Sequence, residues 1–175
     1  MKRFLSLLIV LFVINAVTYA QSLKKYTIGQ SGCNVYMFCN PGEFDRSYSE
    51  DSSIVYTGEC KTTDPLTYGV ICVQLKEPLS SLQDAEDLLV AYLDFLKKSF
   101  DISIAAGYGK GNMLNSDPST RGVVDYWKGK DGAEWKIKGW SNGKAMGILY
   151  VFAPGKLNET QKVNAFLDGF RFPAN

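Results

Sequence analysis

The side chains best suited to bind a ligand lie in a glycine-rich segment, residues 107–111, and in the strand-like residues that follow it. Aromatic and cationic side chains placed together suit a peptide, a glycan or an anionic small molecule. We therefore predict a binding surface in this part of the chain, with two tryptophans as its aromatic anchors. The candidate residues are Tyr108, Lys110, Asp125, Trp127, Lys136, Lys138 and Trp140.

The 107–111 segment, with the sequence Gly-Tyr-Gly-Lys-Gly, has the glycine content of a phosphate-binding loop. A P-loop, however, ends in Gly-Lys-Ser/Thr, and a dinucleotide-binding loop has a different glycine spacing and opens a helix. We therefore expect an ordinary glycine-rich turn. As a ligand-binding loop, the segment would use Lys110 and its backbone amides.

The amino-acid composition excludes several kinds of active site. The chain contains no histidine, so a Ser-His-Asp triad, a Cys-His pair and a His-ligated metal are all excluded within it. Its four cysteines match no zinc-binding spacing, and we predict neither a metal nor a cofactor. The remaining enzymatic hypothesis is a pair of carboxylates, as in glycoside hydrolases, for which Asp125 and Glu134 are the candidates.

Two predicted β-hairpins position most of these residues. Asp131-Gly132 and Asn142-Gly143 are both signals for a two-residue turn, because a type I′ hairpin needs positive φ at both central positions. Side chains alternate along a strand, so centring a hairpin on each turn places a set of residues on one apolar face, which should be the floor of the core. That set is Val124, Tyr126, Trp135, Ile137, Met146, Ile148 and Tyr150.

The same centring predicts which residues lie opposite each other in the three strands. Ile137 would pair with Tyr126 on one side and with Ile148 on the other. Trp135 would pair with Lys128 and with Tyr150.

The opposite face of the three strands is mixed and carries the candidate binding residues. Asp125 would lie opposite Lys138 as a cross-strand ion pair, and Trp127 opposite Lys136 as a cation–π contact. The alternative is a solvated sheet face with local pairs, or a face half covered by the C-terminal helix.

Helical spacing of apolar residues predicts a long amphipathic helix from Ser81 to Ser99, with Ser80 and Gln83 as its capping box. A second helix is predicted to begin at the cap Asn158 and to end at Gly169. Strands are predicted over residues 25–28, 33–39, 54–61, 68–75 and 102–106, and an exposed loop over residues 43–53. The fold class is therefore α+β, with the two helices packed on an antiparallel sheet of six to eight strands.

Residues 1–20 have the features of a secretory signal peptide. A basic start is followed by an apolar run and by small residues that predict cleavage after Ala20. The run is shorter than the about 20 apolar residues that span a bilayer, so no membrane span is expected after cleavage. We predict a secreted or periplasmic protein whose residues 21–175 form a single domain and, in solution, a monomer.

The charge of the predicted mature chain argues against a nucleic-acid partner. Removing Lys2 and Arg3 from the 19 basic residues leaves 17, against 18 acidic residues. A near-neutral domain without a basic run lacks the electrostatic footprint of a nucleic-acid binder.

Export permits disulfide bonds among the four cysteines. Cys33 and Cys39 lie on one predicted strand, where an extended chain separates them by about 20 Å, which is beyond bridging reach. A hairpin centred on Leu66 would place Cys60 opposite Cys72. We therefore predict a Cys60–Cys72 disulfide, with Cys33 and Cys39 left as thiols.

The order of the elements, together with the closing Phe-Leu-Asp-Gly-Phe-Arg-Phe segment, resembles the PsbP-like group over residues 25–173. That group includes the extrinsic photosystem protein and related exported bacterial domains. The resemblance implies an antiparallel sheet sandwiched between helices, and an accessory or binding role in place of catalysis. It transfers no binding residue, because none matches position by position. The chain also resembles uncharacterised secreted proteins of Bacteroidetes-type bacteria.

The leading functional hypothesis is an exported, non-enzymatic accessory or binding domain for a protein, glycan or small ligand. One alternative is a small hydrolase with a carboxylate site near residues 107–119, and another is a small-ligand carrier with a pocket between helix and sheet. The interface between helix and sheet distinguishes them. A solid interior favours interaction, a lined cavity favours carriage, and a cleft with converging carboxylates favours an enzyme.

Overall fold

A computed structural model describes residues 22–158 and 160–173 of the chain. The predicted signal peptide and its cleavage site lie outside the described residues. The described chain forms two α-helices, α1 (Leu82–Ser99) and α2 (Gln161–Leu167), a 3-10 turn (Leu114–Ser116) and eleven strands. The strands are β1 (Lys24–Thr27), β2 (Asn34–Met37), β3 (Asp45–Tyr48), β4 (Ile54–Lys61), β5 (Thr67–Gln74), β6 (Ile102–Ala105), β7 (Gly109–Asn112), β8 (Arg121–Gly129), β9 (Glu134–Ser141), β10 (Ala145–Ala153) and β11 (Phe170–Arg171).

The strands form two antiparallel sheets. The larger has eight strands in the order β3-β4-β5-β10-β9-β8-β6, with β7 also paired to β8, and the smaller has the order β1-β2-β11. The predicted α+β class, with an antiparallel sheet and two helices, is confirmed. The small sheet was not predicted, because β11 is only two residues long and carries no periodic pattern.

Helix α1 covers one face of the large sheet and contacts β6, β8 and β9. Its buried residues Leu89, Leu93 and Leu96 recur at helical spacing and pack on the sheet. The helix begins one residue later than predicted: Ser81 is the N-cap, and its Oγ accepts from the Asp84 N–H at 3.0 Å. In the part of the chain that the structure describes, no helix combines the length and apolar character needed to cross a bilayer.

Helix α2 and the small sheet cover the other face of the large sheet. The α2 N-cap is Thr160, whose Oγ1 accepts from the Val163 N–H at 3.2 Å, so the predicted cap at Asn158 is wrong. The Leu157 N–H donates to Glu134 Oε2 at 2.9 Å and so holds the preceding chain against β9. The helix begins only after this contact, at Gln161. Buried residues of this second core include Val35, Met37, Val70, Leu149, Val151, Val163, Phe166, Leu167 and Phe170.

The predicted register of the β8–β9 hairpin is wrong by one residue. Gly129 N–H donates to the Ala133 carbonyl at 2.8 Å, so residues 130–132 form a three-residue loop. Positive φ occurs there only at Gly132 (85°), whereas the predicted type I′ turn needs it at two positions. A one-residue shift moves a strand's side chains to the other face. Tyr126, predicted to be in the core, is therefore 41% exposed.

The β9–β10 hairpin differs from its predicted register by two residues. Tyr150 lies opposite Ile137, and Ile148 lies opposite Gly139. Because side chains alternate, a two-residue shift keeps each residue on its predicted face. Ile137 and Ile148 are accordingly both fully buried beneath α1, as predicted.

The predicted Cys60–Cys72 disulfide is wrong, and Cys60 is bonded to Cys39 across a Cα–Cα distance of 5.8 Å. The β4–β5 register places Cys60 opposite Tyr68, four residues from Cys72. Cys39 lies beyond the end of β2, which frees it from the strand geometry assumed for it. The inference that Cys33 and Cys39 do not bridge each other is confirmed, and Cys33 and Cys72 are buried thiols.

Candidate functional site

The residues predicted to form one binding surface are divided between the two faces of the large sheet. Asp125 pairs with Ile137, and Trp127 pairs with Trp135, so both β8 side chains face α1. Lys136 and Lys138 face the opposite side, with α2. The predicted pairs, Asp125 with Lys138 and Trp127 with Lys136, are wrong because of the one-residue register shift.

Three of the candidates connect α2 and the residues after it to β9. The polar atoms of these two lysines and the tryptophan are hydrogen-bonded within the fold. No ligand is needed to explain why they lie beneath α2. The contacts are Lys136 Nζ to Asn164 Oδ1 (3.0 Å), Lys138 Nζ to Asp168 Oδ1 (2.7 Å) and Trp140 Nε1 to Leu167 O (2.8 Å).

Asp125 is a fully buried carboxylate that is saturated by partners from its own chain. Its Oδ1 accepts from the backbone N–H groups of Gly107 (3.0 Å) and Tyr126 (2.8 Å). Its Oδ2 accepts from Trp127 Nε1 at 2.6 Å and lies 3.5 Å from Lys97 Nζ. A charge taken out of water needs such partners. The arrangement anchors the start of the 107–111 segment and leaves Asp125 without contact to solvent.

Tyr108 joins the same group of polar side chains at its exposed end. Lys97 Nζ donates to Tyr108 Oη at 2.6 Å and to Asp94 Oδ1 at 3.2 Å. The Tyr108 hydroxyl donates to Asp94 Oδ1 at 2.5 Å, and this bond, followed by that from Lys97, lowers the pKa of the Asp94 carboxyl. Burial raises the pKa of the Tyr108 hydroxyl. The phenol is thus held in its protonated form as a donor that fastens the segment to α1.

Two backbone amides of the 107–111 segment already donate to carboxylates of this chain, which gives no support to an anion-binding loop. The contacts are Gly107 N to Asp125 Oδ1 (3.0 Å) and Gly111 N to Glu86 Oε1 (2.7 Å), with Lys110 Nζ 3.7 Å from Asp87 Oδ1. The predicted glycine-rich turn is wrong for the second half of the segment, because Gly109–Asn112 forms strand β7 and pairs with β8.

The two carboxylates predicted for glycoside hydrolysis do not converge. Asp125 faces α1, whereas Glu134 lies at an alternate position of β9, faces the other side of the sheet and accepts from the Leu157 N–H. No substrate bond can lie between two carboxyl groups on opposite faces of a sheet.

A cavity of about 500 Å³ lies between α1 and the large sheet, near the β3–β4 connection. This volume is in the range of small-ligand sites, about 300–1,000 Å³. Apolar and aromatic side chains form most of its wall. They are Tyr48, Val73, Leu75, Leu88, Tyr92, Phe95 and Met146.

The β3–β4 connection closes one end of the cavity and is internally hydrogen-bonded. Asp51 Oδ1 accepts from Ser49 Oγ (2.5 Å) and from the Ser53 N–H (3.1 Å), and Oδ2 accepts from Ser53 Oγ (2.9 Å). The bond from Ser49, and then those from Ser53, lower the pKa of the Asp51 carboxyl. Ser53 Oγ in turn accepts from the Lys76 N–H at 3.1 Å, which fixes the connection to the end of β5.

Sequence reasoning offered a pocket between helix and sheet as one alternative but named none of its lining residues, because residues 43–53 were predicted to be an exposed loop. The segment instead contains the edge strand β3. The signal that could have revealed the cavity is the width of the apolar stripe on α1. Leu89, Leu93 and Leu96 are buried against the sheet. Tyr92 and Phe95 make the apolar stripe wider than this contact, and Phe95 remains 59% exposed.

A second cavity, of about 320 Å³, lies at the β6–β8 edge of the sheet beside Ile104, Tyr126 and Trp135. Ile104 is 62% exposed. The cavity is smaller and has no helix over it, but it offers matched positions for control substitutions.

Within the described residues, no group of three or more cysteine, aspartate or glutamate side chains is arranged to hold a metal ion. Comparison with known proteins found no matching protein-family model and no significant match among curated proteins.

Proposed function

We propose that the protein is an exported, non-enzymatic binding domain that takes a small, largely apolar ligand in the cavity between α1 and the sheet. The single observation that carries this proposal is the cavity itself, with its volume of about 500 Å³ and its aromatic and aliphatic wall. Ligand sites are mostly apolar concavities with a few polar groups that set orientation. The proposal joins the binding hypothesis to the carrier hypothesis.

The polar groups of the molecule favour binding over catalysis. Asp125 and Lys97 are engaged with each other and with the 107–111 segment, and Glu134 lies across the sheet from them. A hydrolase near residues 107–119 would need carboxyl groups free to exchange protons with a substrate. The hydrolase alternative therefore has less support than ligand carriage.

Action in the periplasm or outside the cell is supported by the Cys39–Cys60 disulfide, because disulfides persist in oxidising compartments. The proposed relation to PsbP-like domains is supported by an antiparallel sheet with a helix on each face. That relation also implies an accessory or binding role.

Titration with a neutral fluorescent apolar probe, N-phenyl-1-naphthylamine, tests the proposal. The wild-type protein should enhance the probe's fluorescence with one site per chain. Leu88→Trp, which fills the cavity from α1, should weaken binding at least tenfold. Ile104→Trp, at the second cavity, should leave it unchanged.

Phe95→Asp provides a second test, because this exposed side chain can change without disturbing the core. This substitution should also weaken binding of the probe, while the circular dichroism spectrum stays that of the wild type. If the wild-type protein leaves the probe's fluorescence unaltered, or if folded Phe95→Asp and Leu88→Trp proteins bind it like the wild type, the proposal is wrong.

A further inference from the structure

We infer that the ligand of the α1–sheet cavity is a cationic amphiphile, with an amine or quaternary ammonium head beside Glu50 and Asp51 and an apolar body against α1. This inference rests on the proposed function and specifies the chemistry of its ligand. Three features of the cavity lead to it: the sign of the charge at its wall, the fixed ionisation of that charge, and the aromatic rings at its mouth.

The charged side chains among the described residues that line the cavity are Glu50 and Asp51, both acidic. Both belong to the β3–β4 connection, so the negative charge is concentrated at one end while the rest of the wall is apolar. A ligand that matches this arrangement carries positive charge at one end and an apolar body at the other.

The charge of Asp51 is fixed by its surroundings. Hydrogen bonds from Ser49 and Ser53 stabilise the carboxylate and lower its pKa, so Asp51 is ionised throughout the neutral range. These donors are all within the connection and hold the carboxylate in place at the wall of the cavity. The neighbouring Glu50 is exposed and contributes a second carboxylate at the same end.

Aromatic rings surround the mouth of the cavity. Tyr92 and Phe95 are in contact, with ring centroids 5.9 Å apart, and Phe95 is 59% exposed. Tyr48, on β3, is 63% exposed. Exposed aromatic rings near carboxylates are the groups that recognise ammonium ions, through the negative faces of the rings.

Arg46 carries a charge that opposes this inference, since a guanidinium beside Tyr48 would attract an anionic head. It does not line the cavity, and its Nη2 donates to the Tyr48 hydroxyl at 2.8 Å. Its Cζ lies 5.2 Å from the centroid of the Tyr48 ring. The guanidinium is thus directed at Tyr48, and the test includes an anionic ligand to measure its influence.

The test displaces bound N-phenyl-1-naphthylamine with three twelve-carbon amphiphiles below their micellar concentrations. They are dodecyltrimethylammonium, dodecanoate and neutral dodecyl maltoside. The ammonium compound should displace the probe at about tenfold lower concentration than dodecanoate, the ratio expected of one exposed ion pair plus one cation–π contact. Added salt should reduce this ratio, because exposed charges are screened.

Glu50→Gln should weaken binding of the ammonium compound about threefold and leave binding of the neutral compound unchanged, because only the ion pair is lost. Glu43→Gln, an exposed glutamate of the preceding loop that does not line the cavity, is the matched control and should have no effect.

The outcomes separate this inference from the proposed function. If the probe binds but dodecanoate or the maltoside displaces it as well as the ammonium compound does, the cationic ligand is ruled out and the apolar cavity site stands. If the wild-type protein never binds the probe, the proposed function and this inference are both wrong.

Discussion

Asp125 and Trp127, two residues apart on β8, are hydrogen-bonded to each other beneath α1, with Trp127 Nε1 donating to Asp125 Oδ2 at 2.6 Å. The carboxylate is fully buried, and Lys97 of α1 lies 3.5 Å away. Because its other oxygen binds the Gly107 N–H, this one side chain joins the helix, the sheet and the 107–111 segment.

Asp125→Ala should destabilise the protein, since it leaves the buried Trp127 N–H without its acceptor and releases the Gly107 N–H, while Lys97 keeps its bonds to Asp94 and Tyr108. A buried donor left unsatisfied costs about 1–3 kcal/mol. Urea unfolding followed by tryptophan fluorescence would measure this as a lower midpoint. Asp101→Asn, which removes an exposed charge partner of Lys130 and suits the positive φ of 51° at this position, is the control and should change little. An Asp125→Ala protein as stable as the control would mean that the cluster does not support the fold.

The Cys39–Cys60 disulfide should contribute substantially to stability. It closes a loop with a sequence separation of 21 residues, and cross-linking a loop of this length is worth about 3 kcal/mol in the chain-entropy model. The Cys39→Ser/Cys60→Ser double variant should therefore unfold at a lower urea concentration. Peptide mapping under non-reducing conditions should recover the 39–60 link. Recovery of a 60–72 link would contradict the strand register of β4 and β5.

The contrast between the two hairpins shows which structural features the sequence could predict. Asn142-Gly143 and Asp131-Gly132 carry the same turn signal. The observed strand pairing differs from the predicted register by two residues at Asn142-Gly143 and by one residue at Asp131-Gly132. Because side chains alternate along a strand, the two-residue shift keeps each side chain on its predicted face, whereas the one-residue shift moves it to the other face. The buried position of Ile137 was therefore predicted correctly, while the predicted core position of Tyr126 was wrong.

The candidate site was less predictable than the fold, because it depends on contacts between distant segments. The cavity combines residues of β3, β5, β10 and α1, which no local pattern connects. β3 is four residues long and entirely exposed, so its sequence carries no apolar periodicity to identify it as a strand. By contrast, the α1 stripe is local and repeats every three or four residues, so Leu89 and Leu93 were assigned correctly to the core.

Cys33 and Cys72 should be unreactive in the native protein. Both are fully buried, and the Cys33 thiol is hydrogen-bonded to Cys72, which lowers the pKa of Cys33. Thiolates react only where a reagent can reach them. Iodoacetamide should therefore label neither cysteine in buffer and both in denaturant, giving two modified thiols by mass spectrometry. Labelling of the native protein within minutes would show that the core beside β2 opens readily. Absence of free thiols in denaturant would indicate a second disulfide.

The stability of the protein should fall in acid, and Asp94 should account for part of the loss. The bond from Tyr108, followed by that from Lys97, lowers the pKa of the Asp94 carboxyl in the folded state. The unfolded chain, in which an aspartate has a pKa of about 3.9, therefore binds the proton more readily than the folded protein does. The stabilisation is complete above that value and is lost as the pH falls through the lowered folded-state pKa.

Urea midpoints measured between pH 2 and pH 7 would test this for wild type and Asp94→Asn. The variant should be less stable than wild type at pH 7, and the difference should narrow as the pH falls below about 4, where Asp94 of the unfolded wild-type chain binds a proton before Asp94 of the folded protein does. Tyr108→Phe should show the same narrowing to a smaller degree, because it removes the hydroxyl donor and leaves the bond from Lys97. A difference between wild type and Asp94→Asn that stays constant with pH would show that Asp94 acts by packing and not by its charge.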